Sequence, residues 1–293
     1  VKNVILVGAS GNLGPIIVKT FARHAPHFNF SILTRHDSNS TSTFPANIPV
    51  LRADYSSLDS LTAAFKDQDA VVSLVGPAFL AKQTILVDAA IAAGVKLFLP
   101  SEYGSDTADE RLREVVPMFE VKKNIVDYLK QREDKISWSA VIVGGFFDWG
   151  ITSTFLGFNA STKTATLVDN GTVPFTTTNT TTIARALIAI LSNPSVARNQ
   201  YVYISSFTPT GADILAAAER ITGAQWTVKH VSSDDLVKDG KEKVAKGDRM
   251  GVVSLLLAGL LGKEGLGDNR KKGSEEWNQR LGLEGEDFEG SVR

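Results

Sequence analysis

Through the first half of the chain, short continuous apolar runs alternate with longer stretches in which apolar residues recur every three or four positions. The runs are VKNVILVG, NFSILTR, IPVLRADY, DAVVSLVG, VKLFLPS and ISWSAVIVG. The stretches between them include LGPIIVKTFARH, a segment from about Ser57 to Lys66 with Ser57 as its cap, KQTILVDAAIAAG closed by Gly94, and residues 117–131. A run with no polar alternation predicts a strand buried on both faces, and the three-to-four recurrence predicts a helix with one buried side. Strands separated by helices in this way predict an α/β fold of the Rossmann type, a doubly wound parallel sheet.

After Gly145 the rhythm breaks. ATLVDNGTVPFTTTNTTTIARALIAIL predicts a short hairpin, a threonine-rich turn and a helix, with Thr182 or a neighbour as its cap. QYVYISS returns to the sheet, and helices follow over 210–222, 232–246 and 249–261. The chain therefore divides into a dinucleotide-binding domain, 1–145, and a smaller substrate lobe with a tail, 146–293, interleaved with the sheet rather than joined by a linker. The tail GKEGLGDNRKKGSEEWNQRLGLEGEDFEG reads as irregular, with Trp277 and Leu281 as anchors. TRHDSNSTSTFPANIP reads as a mobile polar loop.

Composition narrows the chemistry. Of 293 residues, 43% are apolar, enough for a sizeable core, and the net charge of −1 gives no field to recruit nucleic acid or an anionic membrane. There is no cysteine, which excludes disulfides and thiolate chemistry. The four histidines, at 24, 27, 36 and 230, have no HxxxH spacing, so no catalytic zinc site is expected. The chain enters a strand without a secretory leader, and the longest apolar stretch, residues 252–261, is about half of what spans a bilayer, so a soluble cytoplasmic protein is expected. Gly-x-Ser-x-Gly and the Walker pattern are both absent.

The sharpest local signal is VGASGNLG, between the first strand and the first helix. Gly8, Gly11 and Gly14 permit a sharp turn and let an anion approach the backbone, the helix N-terminus offers amide N–H groups, and Ser10, Asn12 and Leu13 complete the edge. The reading is a dinucleotide pyrophosphate site. Where NAD enzymes often place an acid after the second strand, this chain has Thr34, Arg35 and His36. A guanidinium matches a 2′-phosphate in charge and geometry, so NADP is expected, with Asp37 keeping NAD open. Asp54 is placed either to meet the adenine amine or to cap a turn.

The spacing Gly-x-x-Gly-x-x-Gly resembles that of the atypical short-chain dehydrogenases. GASGNLG, TR after the second strand, KQTILVDAAIAAGVKLFLPSEYG, VKKNIVDYL and GGFFDWG together resemble the NmrA-like and isoflavone reductase-like family, over about residues 3–190. That resemblance implies either an NADPH-dependent reductase of plant-type phenolics or a regulator that binds the dinucleotide without turning it over and answers to a protein partner. It implies Lys122, with Ile125 three residues on, as the catalytic lysine, and a cofactor-cleft position for Gln83. The usual Tyr-x-x-x-Lys pair is absent, because none of the five tyrosines has a lysine four residues later.

Around that lysine, Gly76 after the fourth strand admits the cofactor. Tyr103 in PSEYG either lines the pocket or packs, and Glu102 caps or pairs. Phe146, Phe147 and Trp149 in GGFFDWG either stack on a flat substrate ring or pack the second lobe. Asp148 has no assigned role. A reductase requires an open pocket beside the nicotinamide, and a sealed one would favour the regulator.

Overall fold

The computed structural model describes residues 1–25, 27–38 and 44–293. Val4, Ile5, Leu6, Val7, Val71 and Val72 are fully buried because helices cover both faces of the sheet that holds them. Its strands are β1 (Asn3–Val7), β2 (Asn29–Arg35), β3 (Val50–Ala53), β4 (Ala70–Ser73), β5 (Leu97–Leu99), β6 (Ser137–Ile142) and a late arrival, β11 (Gln200–Tyr203). They lie in the order β11-β6-β5-β4-β1-β2-β3, and every pairing is parallel. The order reverses between β1 and β4, and ligands of such sheets bind outside the carboxyl ends at that point.

The helices of this half are α1 (Gly14–His24), α2 (Leu58–Phe65), α3 (Gln83–Ala92), α4 (Glu110–Val115) and α5 (Phe119–Lys130). The expected helix over 117–131 is α5, and α4 before it was not anticipated. Ser57 caps α2 as expected, its hydroxyl accepting from Ser60 N at 3.2 Å. One face of the sheet buries Ile17 and Phe21 of α1 against Ile183 and Leu187 of α7 (Thr180–Ser192). The other buries Leu61, Phe65, Leu86, Ile125 and Leu129 from α2, α3 and α5.

Beyond Gly145 the chain forms β7 (Gly145–Phe146), α6 (Phe147–Thr152), β8 (Phe158–Asn159), β9 (Thr164–Val168) and β10 (Thr177–Thr178). α8 (Gly211–Thr222), β12 (Thr227–Val231), α9 (Ser233–Ala245), α10 (Met250–Leu261), α11 (Ser274–Arg280) and α12 (Phe288–Val292) follow. The helices expected over 210–222, 232–246 and 249–261 are α8, α9 and α10. The hairpin differs from expectation: β9 turns back on β8, upstream of it, and takes β12 as a parallel partner on its other side. GTVPF forms no strand. β12 escaped the sequence because its residues are mostly exposed and carry little apolar pattern.

Two further expectations fail. The tail is not irregular: it forms α11 and α12, with Trp277 and Leu281 buried in the main core as anchors. The cap of α7 is not a threonine either. Asp148, from α6, accepts from Thr180 N at 3.1 Å and from Thr180 Oγ1 at 2.5 Å, while Thr182 Oγ1 donates to Glu286 of the tail at 2.7 Å. A carboxylate from another element outcompetes the local hydroxyl because it brings charge to the helix N-terminus. Residues 39–43 of the polar loop expected between β2 and β3 lie outside the described residues. Among the described residues no helix is long and apolar enough to cross a membrane, and no cluster of His, Asp and Glu could hold a metal.

Candidate active site

β1 ends at Val7, and the chain turns at Gly8 with φ +83°, where a Cβ would stand 3.1 Å from the backbone of Leu74. At Gly14 a Cβ would stand 1.9 Å from Ala9 O, so only glycine lets α1 start this close to its own loop. Gly8 and Gly14 therefore set the path of the backbone. Gly11, between them, lines the cleft, and a Cβ there would make only ordinary contacts, 3.8 Å to Gly8 O and 4.0 Å to Leu74 O. No side chain caps α1, whose N-terminus is left to an anion.

The cleft has two cavities that meet at Gly11, Val75, Gly76 and Pro77. The first, of about 770 Å³, is lined by Gly8, Ser10, Arg35, His36, Asp37, Asp54 and Lys82. The Arg35 side chain is 62% exposed and reaches Asp37 only at 3.8 Å, so it is available to a ligand. Asp54 lines the cavity and also holds the turn after β3, accepting from Ser56 N at 2.8 Å and Ser56 Oγ at 2.6 Å; those bonds lower its pKa. Three residues here were missed by the sequence. Tyr55 and Phe79 meet edge-to-face at 5.2 Å and wall the cavity. Arg52 gathers the carbonyls of Arg35, His36 and Ser38 at 3.3, 2.8 and 3.0 Å, shaping the turn after β2.

The second cavity, of about 550 Å³, opens to solvent and is lined by Asn12, Leu13, Tyr103, Lys122, Phe146 and Trp149, among others. Lys122 is half-buried, and its ammonium donates to Glu102 O at 2.5 Å. Its neighbour Lys123 is engaged with Asp127, which separates the two lysines of the motif. Burial lowers the pKa of Lys122, and the Glu102 carboxylate partly offsets that. Glu102 itself is buried and accepts from Thr107 Oγ1 at 2.6 Å; burial pushes its pKa up to about 6, against the pull of Lys122.

Two expected site residues lie elsewhere. Gln83 is buried beneath the cleft, accepting from Ser73 Oγ at 2.8 Å and Ser101 N at 3.0 Å, so it ties the ends of β4 and β5 together without lining either cavity. Phe147 is fully buried against Phe207 and Phe288 in the second lobe, because the α6 turn sends it away from Phe146 and Trp149. The sequence also missed Met118, Phe119, Phe155, Leu256 and Leu260 on the pocket wall. The apolar run 252–261 was the available signal for the last two, but periodicity does not say which face meets a ligand.

A parallel sheet with a glycine-rich turn at its switch point, opening on a two-part cleft, defines a dinucleotide-binding protein of the Rossmann type. The model of the NmrA-like family matches residues 1–246, and the chain belongs to that family. It is similar to the oxidoreductase aprR of Aspergillus flavus, 36% identical over 86% of this chain and 85% of that one. It is also similar to the oxidoreductase poxI of Penicillium oxalicum, 31% identical over 85% and 79%. These relatives place the chain among the oxidoreductases. Among solved structures, the leucoanthocyanidin reductase–NADPH complex from Vitis vinifera superimposes with a TM-score of 0.76 at 19% identity, over 91% of this chain and 88% of that one, and so shares the fold.

Proposed function

We propose that this chain is an NADPH-dependent reductase of a small aromatic or phenolic substrate, with Lys122 serving the reacting oxygen. The observation that carries the proposal is the second cavity: an open, largely apolar pocket, continuous with the glycine-rich cleft, with Lys122 as its one charged lining residue among the described residues. A binding-only regulator has no need of such a pocket. The first cavity fits the other end of the cofactor. Gly8 and Gly14 shape a cradle that a Cβ would fill, Ser10, Gly11, Asn12 and Leu13 border it, and Gly76 leaves open space. Arg35 is the candidate for the 2′-phosphate, and Asp54 faces the adenosine side. The NADPH bound to the structurally similar leucoanthocyanidin reductase supports this choice of cofactor.

When bound, NADPH supplies the hydride. This chain supplies the rest. Phe146 and Trp149, whose rings meet edge-on at 6.5 Å, offer an apolar wall for a flat ring and keep water from it. Glu102 O fixes the Lys122 ammonium, which stabilises negative charge developing on a substrate oxygen and gives it a proton, the lowered pKa making that transfer easier. Residues 1–145 carry the cofactor in this reading and 146–293 shape the substrate side, with α7 and β11 returning to the main sheet. The test is NADPH oxidation by the purified protein across aromatic ketones, enones and quinones. Turnover of a member of that panel supports the reading; tight NADPH binding with no turnover favours the regulator.

A further inference from the structure

The wall of the pocket beside Lys122 includes a tyrosine whose buried hydroxyl has no hydrogen-bond partner among the described residues. This residue, Tyr103, is 9% exposed. Three nearby hydroxyls are engaged: Ser101 Oγ donates to Val75 O at 2.9 Å, Thr107 Oγ1 to Glu102 at 2.6 Å, and Tyr203 to Asp106 at 3.2 Å, while the other buried phenol without a partner among the described residues, Tyr201, lines neither cavity. A buried hydroxyl left unpaired costs about 1–3 kcal/mol, so an orphan on the wall of a binding pocket points to a partner that arrives with the ligand.

The wall limits what that ligand is. Leu80, Met118, Phe119, Trp149, Leu256 and Leu260 make it apolar, and a single lysine is its only charge among the described residues. A phosphate or dicarboxylate would be poorly matched there. A neutral ring system with one accepting oxygen fits.

We propose that Tyr103 donates the hydrogen bond that selects and holds the carbonyl oxygen of a neutral aromatic ketone in this pocket. The inference rests on the reductase reading. In that reduction a C–H bond forms at the carbonyl carbon from the hydride of NADPH, the π pair of the C=O bond moves to oxygen, and that oxygen takes its proton from the Lys122 ammonium. Tyr103 keeps its own proton. Burial and the nearby Glu102 carboxylate push the phenol pKa up, so it remains a donor throughout.

The test compares 4-chromanone with chroman, the same bicycle without the carbonyl, titrated into NADP⁺-loaded wild type and Tyr103→Phe. Wild type binds chromanone more tightly than chroman, and Tyr103→Phe loses roughly tenfold of that preference, the remainder being due to Lys122, while its affinity for chroman and for NADPH stays the same. The variant removes an unpaired hydroxyl, so its thermal midpoint does not fall. Equal binding of the two probes by wild type, no binding of either, or a preference undiminished in Tyr103→Phe overturns the proposal. A wild type that holds chromanone through Tyr103 yet never oxidises NADPH with any ketone, enone or quinone keeps this assignment and removes the reductase reading. A wild type that reduces chromanone no faster than Tyr103→Phe does the reverse.

Discussion

At one end of the cleft Arg35 ends β2 and His36 and Asp37 stand on the turn after it, facing water, with Arg52 bonded to carbonyls of this segment. At the other end Lys122, Glu102 and Tyr103 are withdrawn among Leu, Met, Phe and Trp side chains. Charges at the first end stand in water and are screened, which suits recognition of a charged cofactor. Groups at the second end have shifted affinities for protons, Glu102 upward and Lys122 downward, which suits moving a proton near neutral pH. On the proposed reading, the same cleft separates binding from chemistry by how much water each end admits.

The largest effect expected is at the buried end. Lys122→Met should lower kcat by about 10²–10⁴-fold while NADPH affinity measured by calorimetry stays near wild type. A loss of cofactor affinity with kcat preserved would assign Lys122 to the other side of the comparison. At the exposed end, Arg35→Ala should weaken NADPH by roughly 10- to 100-fold and leave NADH nearly untouched. Added salt should erode the wild-type preference for NADPH in the same direction, since the contact is exposed. Equal affinity of wild type for both cofactors would return the choice to NAD.

Glu102 gives a stability prediction with a definite sign. The fold raises its pKa from the ordinary 4.5 to about 6, so the folded chain holds that proton more tightly than the unfolded chain. Stability is full below the ordinary value and falls as pH rises through that interval, by about 2 kcal/mol. Glu102→Gln keeps an acceptor for Thr107 and lacks the fall. Chemical denaturation on either side of the interval should show the variant gaining on wild type as pH rises; parallel curves would refute it. The smallest effect is Asp148→Ala, which strips the cap from α7 and should cost about 1 kcal/mol, or roughly 2–4 °C in thermal midpoint, while cofactor affinity stays unchanged.

How far the sequence carried the reading depends on how local the cause was. Buried parallel strands announce themselves because both faces are apolar, so β1, β2 and β4 to β6 were legible, as were α1, α2, α3 and α5 between the strands and α8 to α10 later, whereas the short α4 was not. The glycine turn was legible because the backbone itself demands those residues, although their work divides: Gly8 and Gly14 shape the chain and Gly11 borders the cleft. Phe147 and Gln83 were misplaced for one reason. Each sits in a motif whose neighbours do reach the cleft, and a single helical step decides between cavity and core.

By itself, then, the sequence determined the layered fold and the position of the glycine-rich turn, since these follow from periodicity and from steric demands on a few residues, while Lys122 was pointed to only by a family pattern. Tertiary structure alone decided which lysine of the pair is free of a carboxylate, that Glu102 is buried beside it, that Asp148 caps a helix from another element, and that α10 closes the pocket with Leu256 and Leu260. Those facts depend on contacts between residues far apart in the chain, where burial and pairing are set by the packing of whole elements and leave no mark on local pattern.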